Sequence, residues 1–394
     1  MFRYFLLSIY LLIPYFPLFG EIDRIGSQIL LMSILNFISI GYIFNQKLQL
    51  NFLGLFNKRE ILYYGTFILI AFFSGFQALN KAEFFIEILR TVTYFISLLI
   101  FLLLVNKERI KRYLIWLILL TLVFDVFGLL VQNIQGLSMI GFTANKNIAA
   151  FSIVIKSCYL VYIINEFKSF FLKSLFFSFY VLFIFLLISI NSKGSIIAFY
   201  FGIFYLIVLG ILRFKTQRFR FYNALILLSL IITTILTTNL KSNSLSAFRN
   251  TTINFSQDEG NRSRVRYLKQ AIESIKENPI FGVGYGNWKI ESIKYDALEM
   301  RDYVVQYYSH NDYIQILTEI GIFGLLSYLM IFVSLLKKLY QRAINEQNSL
   351  IPYLGLGLLI YIFDALINFP AFRVTSQINL VLIITFLNFK NNEK

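Results

Sequence analysis

Chemistry in this chain has few places to reside. His310 is the only histidine among 394 residues, and it stands beside Asn311 and Asp312 in "YYSHNDYIQILTEIGIFGLLSYL", residues 307–329, at the threshold of an apolar helix. An unperturbed imidazole titrates near neutral pH, so it can orient a hydroxyl or take its proton. The plainer alternative is a cap or hydrogen bond at a helix end. If helix begins near His310, then Ile314, Leu317, Gly321 and Gly324 follow on one stripe. Small residues on such a stripe let a neighbouring helix approach closely, so the stripe and the imidazole should face the bundle. Glu319 falls on the opposite side of that helix, and Asp312 is turned away as well, so neither obvious carboxylate is expected to partner the histidine.

Cations gather just upstream. "NRSRVRYLKQAIESIKENP" reads as an amphipathic helix, with Val265, Leu268, Ile272 and Ile275 at helical spacing, Ser263 as N-cap, and Asn278 and Pro279 ending it. Arg262, Arg264, Arg266 and Lys269 crowd its first turns and opposite side, where the macrodipole favours an anion. Such crowding invites a negatively charged ligand, or else a face resting on anionic headgroups. "PIFGVGYGNW" follows, with Gly282, Gly284 and Gly286 alternating. No strand precedes it and no βαβ unit surrounds it, so it reads as a tight turn allowing close backbone approach rather than a nucleotide loop. One cysteine, Cys158, excludes a disulfide framework within the chain. No metal is expected, the outer acids Asp296, Glu299 and Asp302 being the remote alternative.

The elements that must position these residues are membrane spans. The chain is 58% hydrophobic with only 14% charged residues, and its apolar runs repeatedly reach the length needed to cross a bilayer. The fold class is therefore all-α: a polytopic membrane protein of about twelve spans. We place them near 4–19, 28–44, 61–79, 84–105, 111–131, 147–165, 171–190, 194–212, 222–240, 311–336, 350–368 and 373–389. The first run lacks a small-x-small cleavage site and leads directly into another span, so it is kept as a helix. Lysine and arginine concentrate on alternate connections: Arg3; Lys47, Lys58 and Arg59; Lys107, Arg109, Lys111 and Arg112; Lys168 and Lys173; Arg213, Lys215, Arg218 and Arg220; Lys337, Lys338 and Arg342; Lys390 and Lys394. The opposite connections hold only Arg24, Lys81, Lys146, Lys193 and Arg373. Short basic loops stay cytoplasmic, so both termini are expected inside. The net charge of +15 then reads as topology and attraction to anionic lipid, with no nucleic-acid partner. Residues 241–309 form one long outer loop between 1–240, with nine spans, and 310–394, with three; long loops carry function. Lys241, Arg249, Arg262, Arg264, Arg266, Lys269, Lys276, Lys289, Lys294 and Arg301 all lie in it. Within the spans, Glu87 and Arg90 should pair, whereas Asp125, Lys156 and Asp364 show no partner along the sequence and either line a cavity or pair with one another.

Together these stretches resemble the O-antigen ligase and polymerase superfamily of bacterial membrane glycosyltransferases. "HNDYIQILTEIGIFG" is similar to that family's histidine, leucine and glycine-x-x-glycine signature, and "RVRYLKQAIESIKENPIFGVGYGNW" to its arginine, helix, proline and glycine-x-glycine sequence. The resemblance covers roughly residues 140–330 and implies a GT-C-like helical fold with a large periplasmic loop. It makes His310 and Arg264 the expected catalytic residues, with Arg266 as the competing assignment for the arginine. "NSKGS", residues 191–195, aligns with a serine-arginine-glycine motif; here Lys193 keeps the charge but loses the bidentate fork that suits phosphate. Lys193, Arg264 and Arg266 are then the expected diphosphate ligands. "GFTANKNIAAF" is similar to another family stretch and makes Asn147 a candidate substrate contact, with Asn311 beside the histidine as a second.

The implied reaction moves a glycan from an undecaprenyl-diphosphate carrier to an acceptor sugar hydroxyl at the outer face of the inner membrane, in surface polysaccharide or lipopolysaccharide biosynthesis. It needs no cofactor or metal, and its partners are the lipid-linked donor, the acceptor and membrane lipid. The acceptor is lipid A–core for a ligase, to which we lean, or the growing chain's own repeat unit for a polymerase. A flippase or transporter is the alternative class, disfavoured because no internal repeat relates two halves.

Overall fold

In lipid a backbone has no water to bond, so an apolar chain must satisfy its amides within helices. The computed structural model follows that requirement over the residues it describes, 1–16, 24–48, 52–143, 145–212, 225–233, 235, 259–296, 307–345 and 350–389. Among these there is no strand. The helices are α1 (Phe2–Leu12), α2 (Arg24–Asn45), α3 (Phe52–Leu55), α4 (Arg59–Ser74), α5 (Lys81–Leu104), α6 (Glu108–Ile134), α7 (Lys146–Glu166), α8 (Phe170–Ile190), α9 (Lys193–Leu212), α10 (Glu259–Glu277), α11 (Trp288–Asp296), α12 (Asp312–Asn345), α13 (Ile351–Asp364) and α14 (Val374–Asn388). Seven of them, α2, α5, α6, α7, α8, α9 and α12, are long and apolar enough to cross a membrane, and α1, α13 and α14 are shorter apolar helices. Of the expected ninth span only 225–233 and 235 are described, and these are helical. Arg213, Lys215, Arg218, Arg220, Lys241, Arg249, Arg301, Lys390 and Lys394 lie outside the described residues, as do the side chains of Arg24 and Arg262.

Two helices form the buried centre. Along α14 nearly every residue from Val374 to Leu387 is buried, and α13 is buried on all sides from Ile351 to Leu358. α13 packs between α7 and α9, and α14 lies against α5 and α13. Outward residues of α8 such as Phe170, Phe171 and Leu175 are exposed, the apolar exterior that lipid requires. At about 1.5 Å per residue, helices as short as α13 and α14 span only about 21–23 Å, less than the hydrocarbon core of about 30 Å. Their connection, with a 3-10 turn at Pro370–Phe372, therefore lies recessed within the bundle end rather than above it.

α12 is not one continuous helix. Its backbone breaks at Gly321 (φ 79°, ψ −172°), because the glycine-rich loop docks there. A β-carbon on Gly321 would lie 2.0 Å from the carbonyl oxygen of Ile280, and one on Gly282 would lie 2.4 Å from the Glu319 carbonyl carbon. Only glycine on both sides permits this approach with positive φ. The loop's amides complete the break: Val283 N–H donates to Thr318 O at 3.0 Å, Gly284 N–H to Glu319 O at 2.9 Å, and Ile322 N–H to Pro279 O at 3.0 Å. The backbone approach expected of the glycines is thus made to another helix, not to membrane or ligand. Asn287 fastens the same loop to the α4–α5 turn, accepting from Asn80 N at 2.8 Å and donating to Asn80 O at 3.2 Å.

The intramembrane charges resolve into pairs. Arg90 donates to Glu87 at 2.6 Å, as expected. Lys156 meets Asp125 at 2.6 Å and the Tyr15 hydroxyl at 2.7 Å, while Ser152 also donates to Asp125, so this buried group is complete. Asp364 stands apart from them and accepts from Asn368 at 2.7 Å.

Candidate functional site

His310 departs from the helix-start geometry that its spacing suggests. α12 begins at Asp312, and His310 precedes it in the left-handed region, φ 57°. A non-glycine residue there is strained, so the imidazole is held by its surroundings rather than by local preference. Asn311 caps the helix: its Oδ1 accepts from Ile314 N–H at 3.1 Å, and its Nδ2 donates to Leu366 O at 3.0 Å. The candidate substrate contact Asn311 is therefore occupied with ending the helix and tying it to the recessed connection. Asp312 reinforces that tie, donating its N–H to Ala365 O and accepting from Ala371 N–H, both at 2.9 Å. Glu319 instead accepts from Trp288 N–H at 3.1 Å and from Gln315 at 3.3 Å. As the spacing requires, both carboxylates are engaged away from the histidine.

The imidazole is half-buried in an aromatic surround. Tyr267 of α10 lies parallel to it, centroids 6.1 Å apart, and Phe369 meets it in a T-shaped contact at 5.1 Å. Its Nδ1 is buried and has no hydrogen-bond partner among the described residues. Burial first, then the charges of Arg264 and Arg373, pull the imidazole down from 6.5 to about 4, so it is neutral at physiological pH.

α10 turns its polar side inward. Tyr267, Gln270, Ala271 and Ser274 line the buried or half-buried face, whereas Val265, Leu268 and Ile272 of the apolar stripe are more than 40% exposed. The helix starts at Glu259, so Ser263 lies within it and is not its N-cap. Arg264, one turn before Tyr267, is the α10 cation whose charge acts on His310 and on Asp364. Arg266 lies over the Tyr267 ring at 5.4 Å. Of the two competing arginines, Arg264 is the one whose charge acts on the histidine.

Lys193 and Asn147 form a neighbouring focus. The "NSKGS" stretch is the α8–α9 turn, with Asn191 left-handed at φ 55° and Lys193 opening α9. Ser192 donates to Asn147 Oδ1 at 2.9 Å, which joins the two expected contact stretches directly. A β-carbon on Gly194 would lie 3.1 Å from Ile367 and 3.5 Å from Asn368, so this turn abuts the recessed connection below His310. Glu299 and Asp302, with the side chain of Asp296, lie outside the described residues.

Sequence reasoning missed the contribution of that connection. Arg373, only 5% exposed, lies over the Phe369 ring at 3.6 Å, and Tyr308 stacks on the other aromatic contact of the same ring at 4.2 Å. Burial pushes the Tyr308 hydroxyl up to about 12. Neither residue has a signal in local spacing, since each acts through elements distant along the chain. The assembled site is a neutral imidazole and two arginines around an aromatic floor, suited to an anion and a hydroxyl together.

Comparison with known proteins bears on this arrangement. Residues 178–329 match the family model described as O-antigen ligase, a segment running from α8 through the break in α12 and containing Lys193, Arg264 and His310. No curated protein matches the chain.

Proposed function

The chain carries the O-antigen ligase domain of the ligase and polymerase superfamily, and from that premise we propose that it transfers a glycan from a lipid diphosphate to a sugar hydroxyl at the membrane surface. The observation carrying this reading is His310, whose buried Nδ1 has no hydrogen-bond partner among the described residues and whose ring lies within the field of Arg264 and Arg373. The donor is an undecaprenyl-diphosphate-linked glycan and the acceptor lipid A–core, as for a ligase; polymerisation of repeat units is the second reading, open because the family description covers the chemistry and not the acceptor. Twelve spans with cytoplasmic termini, divided at 240 and 310, put the reaction at the periplasmic face of the inner membrane, where no nucleotide is needed.

Attack by the acceptor oxygen on the anomeric carbon breaks the bond to the diphosphate, whose growing charge Arg264 and Lys193 stabilise with Arg266 nearby. The acceptor proton passes to His310. Burial first, and then the charges of Arg264 and Arg373, make the imidazole a weak base. A bound diphosphate offsets those charges and raises its basicity towards neutrality, so the base strengthens when donor is in place. A sugar hydroxyl remains the far weaker acid, which makes proton transfer late.

His310→Ala tests the assignment in liposomes loaded with radiolabelled donor. Transfer should fall about 10²- to 10⁴-fold, the usual worth of a positioned acid or base; transfer at the wild-type rate overturns it. In cells lacking the protein, full-length polymer accumulating on the carrier marks a ligase, and single repeats on core mark a polymerase.

A further inference from the structure

Arg373 is a cation in an unfavourable place without the usual remedy. It immediately precedes α14, at the positive end of that helix's dipole, and is 5% exposed. Desolvation and the macrodipole both oppose a cation there. Buried arginines normally answer such a cost with an ion pair, as Arg90 does with Glu87 at 2.6 Å. Arg90 and Arg373 alike leave Nε buried without a hydrogen-bond partner, but Arg373, unlike Arg90, also makes no ion pair within 4.0 Å among the described residues. Two carboxylates are near enough to act on it, Asp364 and Asp312. Both hold the chain's own groups: Asp312 accepts from Ala371 N–H at 2.9 Å, and Asp364 from the Asn368 amide at 2.7 Å. What does hold the guanidinium is the Phe369 face at 3.6 Å, which fixes its plane and leaves its edges for a partner.

Position adds to this. Phe369 carries the guanidinium of Arg373 on its face and meets the His310 ring in a T-shaped contact, so the unpartnered Nε of Arg373 and Nδ1 of His310 belong to groups with one aromatic support. Arg264 approaches from α10, on the loop side of His310, whereas Arg373 belongs to the recessed connection of the bundle. The Lys193 turn abuts that connection through Gly194.

We infer that Arg373 is the bundle-side ligand of the donor's diphosphate, its guanidinium fork closing on two phosphate oxygens opposite Arg264, with His310 between them. The inference rests on the glycan-transfer reading above. When the acceptor oxygen bonds to the anomeric carbon, the carbon–oxygen bond to phosphate breaks and its electron pair stays on the diphosphate. The acceptor proton goes to His310, and Arg373 meets the added negative charge. A planar fork suits two oxygens better than a lysine point charge, so Arg373 should favour a diphosphate over a monophosphate.

Binding of farnesyl diphosphate and farnesyl monophosphate to the purified full-length protein in detergent provides the test. Wild type should bind the diphosphate about tenfold or more tightly than the monophosphate, the worth of one charge-assisted bond. R373K should keep binding but lose most of that preference, while H310A keeps the preference. The ratio within each variant does not depend on its stability, so R373K serves even if R373A fails to fold. A wild-type ratio in R373K overturns the inference while leaving glycan transfer by His310 intact. Conversely, unimpaired transfer by H310A with the R373K effect present overturns the reaction reading and leaves the diphosphate clamp standing. Equal affinity of wild type for both probes removes the clamp.

Discussion

Two buried groups of charge, one between α6 and α7 and the other where α10 meets the α13–α14 connection, have opposite character. At Lys156 every strong group is answered: Asp125, Tyr15 and Ser152 close the set within 3.0 Å. At His310 the pocket is left open, with Nδ1 and the Arg373 Nε buried and unpartnered among the described residues. A low dielectric makes an unmet polar group costly, so a closed set such as that at Lys156 marks a structural role, whereas an arginine without an ion pair beside an unpartnered imidazole nitrogen marks the candidate site. The bridge between α4, α12 and α14, where Lys338 meets Glu60 and Asn388, falls on the structural side.

That contrast can be broken most readily at Asp125. Asp125→Ala leaves Lys156 without its counter-ion and should cost about 3–5 kcal/mol of stability; a thermal melt lowered in proportion, with transfer per folded molecule preserved, is the expected result. Arg264→Ala should do the reverse. Its expected loss is about 10²- to 10³-fold in transfer rate, similar to removing one donor from a site of developing charge, with the melt little changed. Swapped outcomes at these two positions would erase the distinction.

A smaller effect concerns pH. His310 titrates at about 4 in the folded protein, below its ordinary 6.5, so it is neutral and competent as a base across that interval. The acid limb of kcat/KM, which reports the free enzyme, should therefore fall near pH 4 rather than 6.5. Arg264→Gln removes one of the charges that lower it and should move the limb upward. The same shift has a stability consequence: the unfolded chain binds the extra proton, so this group's contribution is complete above 6.5 and is lost as pH falls through 4. The smallest effect is expected from Lys193→Arg, a rise of about two- to fivefold in donor affinity where a fork replaces a point charge, measured by competition with farnesyl diphosphate.

Several features of the site were legible along the chain. A lone histidine at the head of an apolar helix, the basic helix before it, its end at Asn278 and Pro279, and the pairing of Glu87 with Arg90 all follow from local pattern. Local pattern misled where a distant partner intervened. Extending the α12 stripe through Gly321 assumed unbroken helix, but the Pro279–Asn287 loop satisfies the backbone there and allows the break. The spacing marked an apolar stripe on α10, but Val265, Leu268 and Ile272 stay exposed while Tyr267, Gln270 and Ser274 turn inward. Asp125 and Lys156 lie on different helices, so no spacing rule could pair them.

The sequence by itself determined a helical membrane protein, because a chain this apolar and this poor in charge can satisfy its backbone in lipid only through helices. It also determined which residue types were available: one imidazole, and an arginine-rich helix just before it. Tertiary structure decided which arginines count. Arg373 lies 63 positions beyond His310, and only the recessed α13–α14 connection, supported through Phe369, brings the two to one pocket. Helical periodicity reports neighbours within a few turns, whereas that meeting depends on how short buried helices stack.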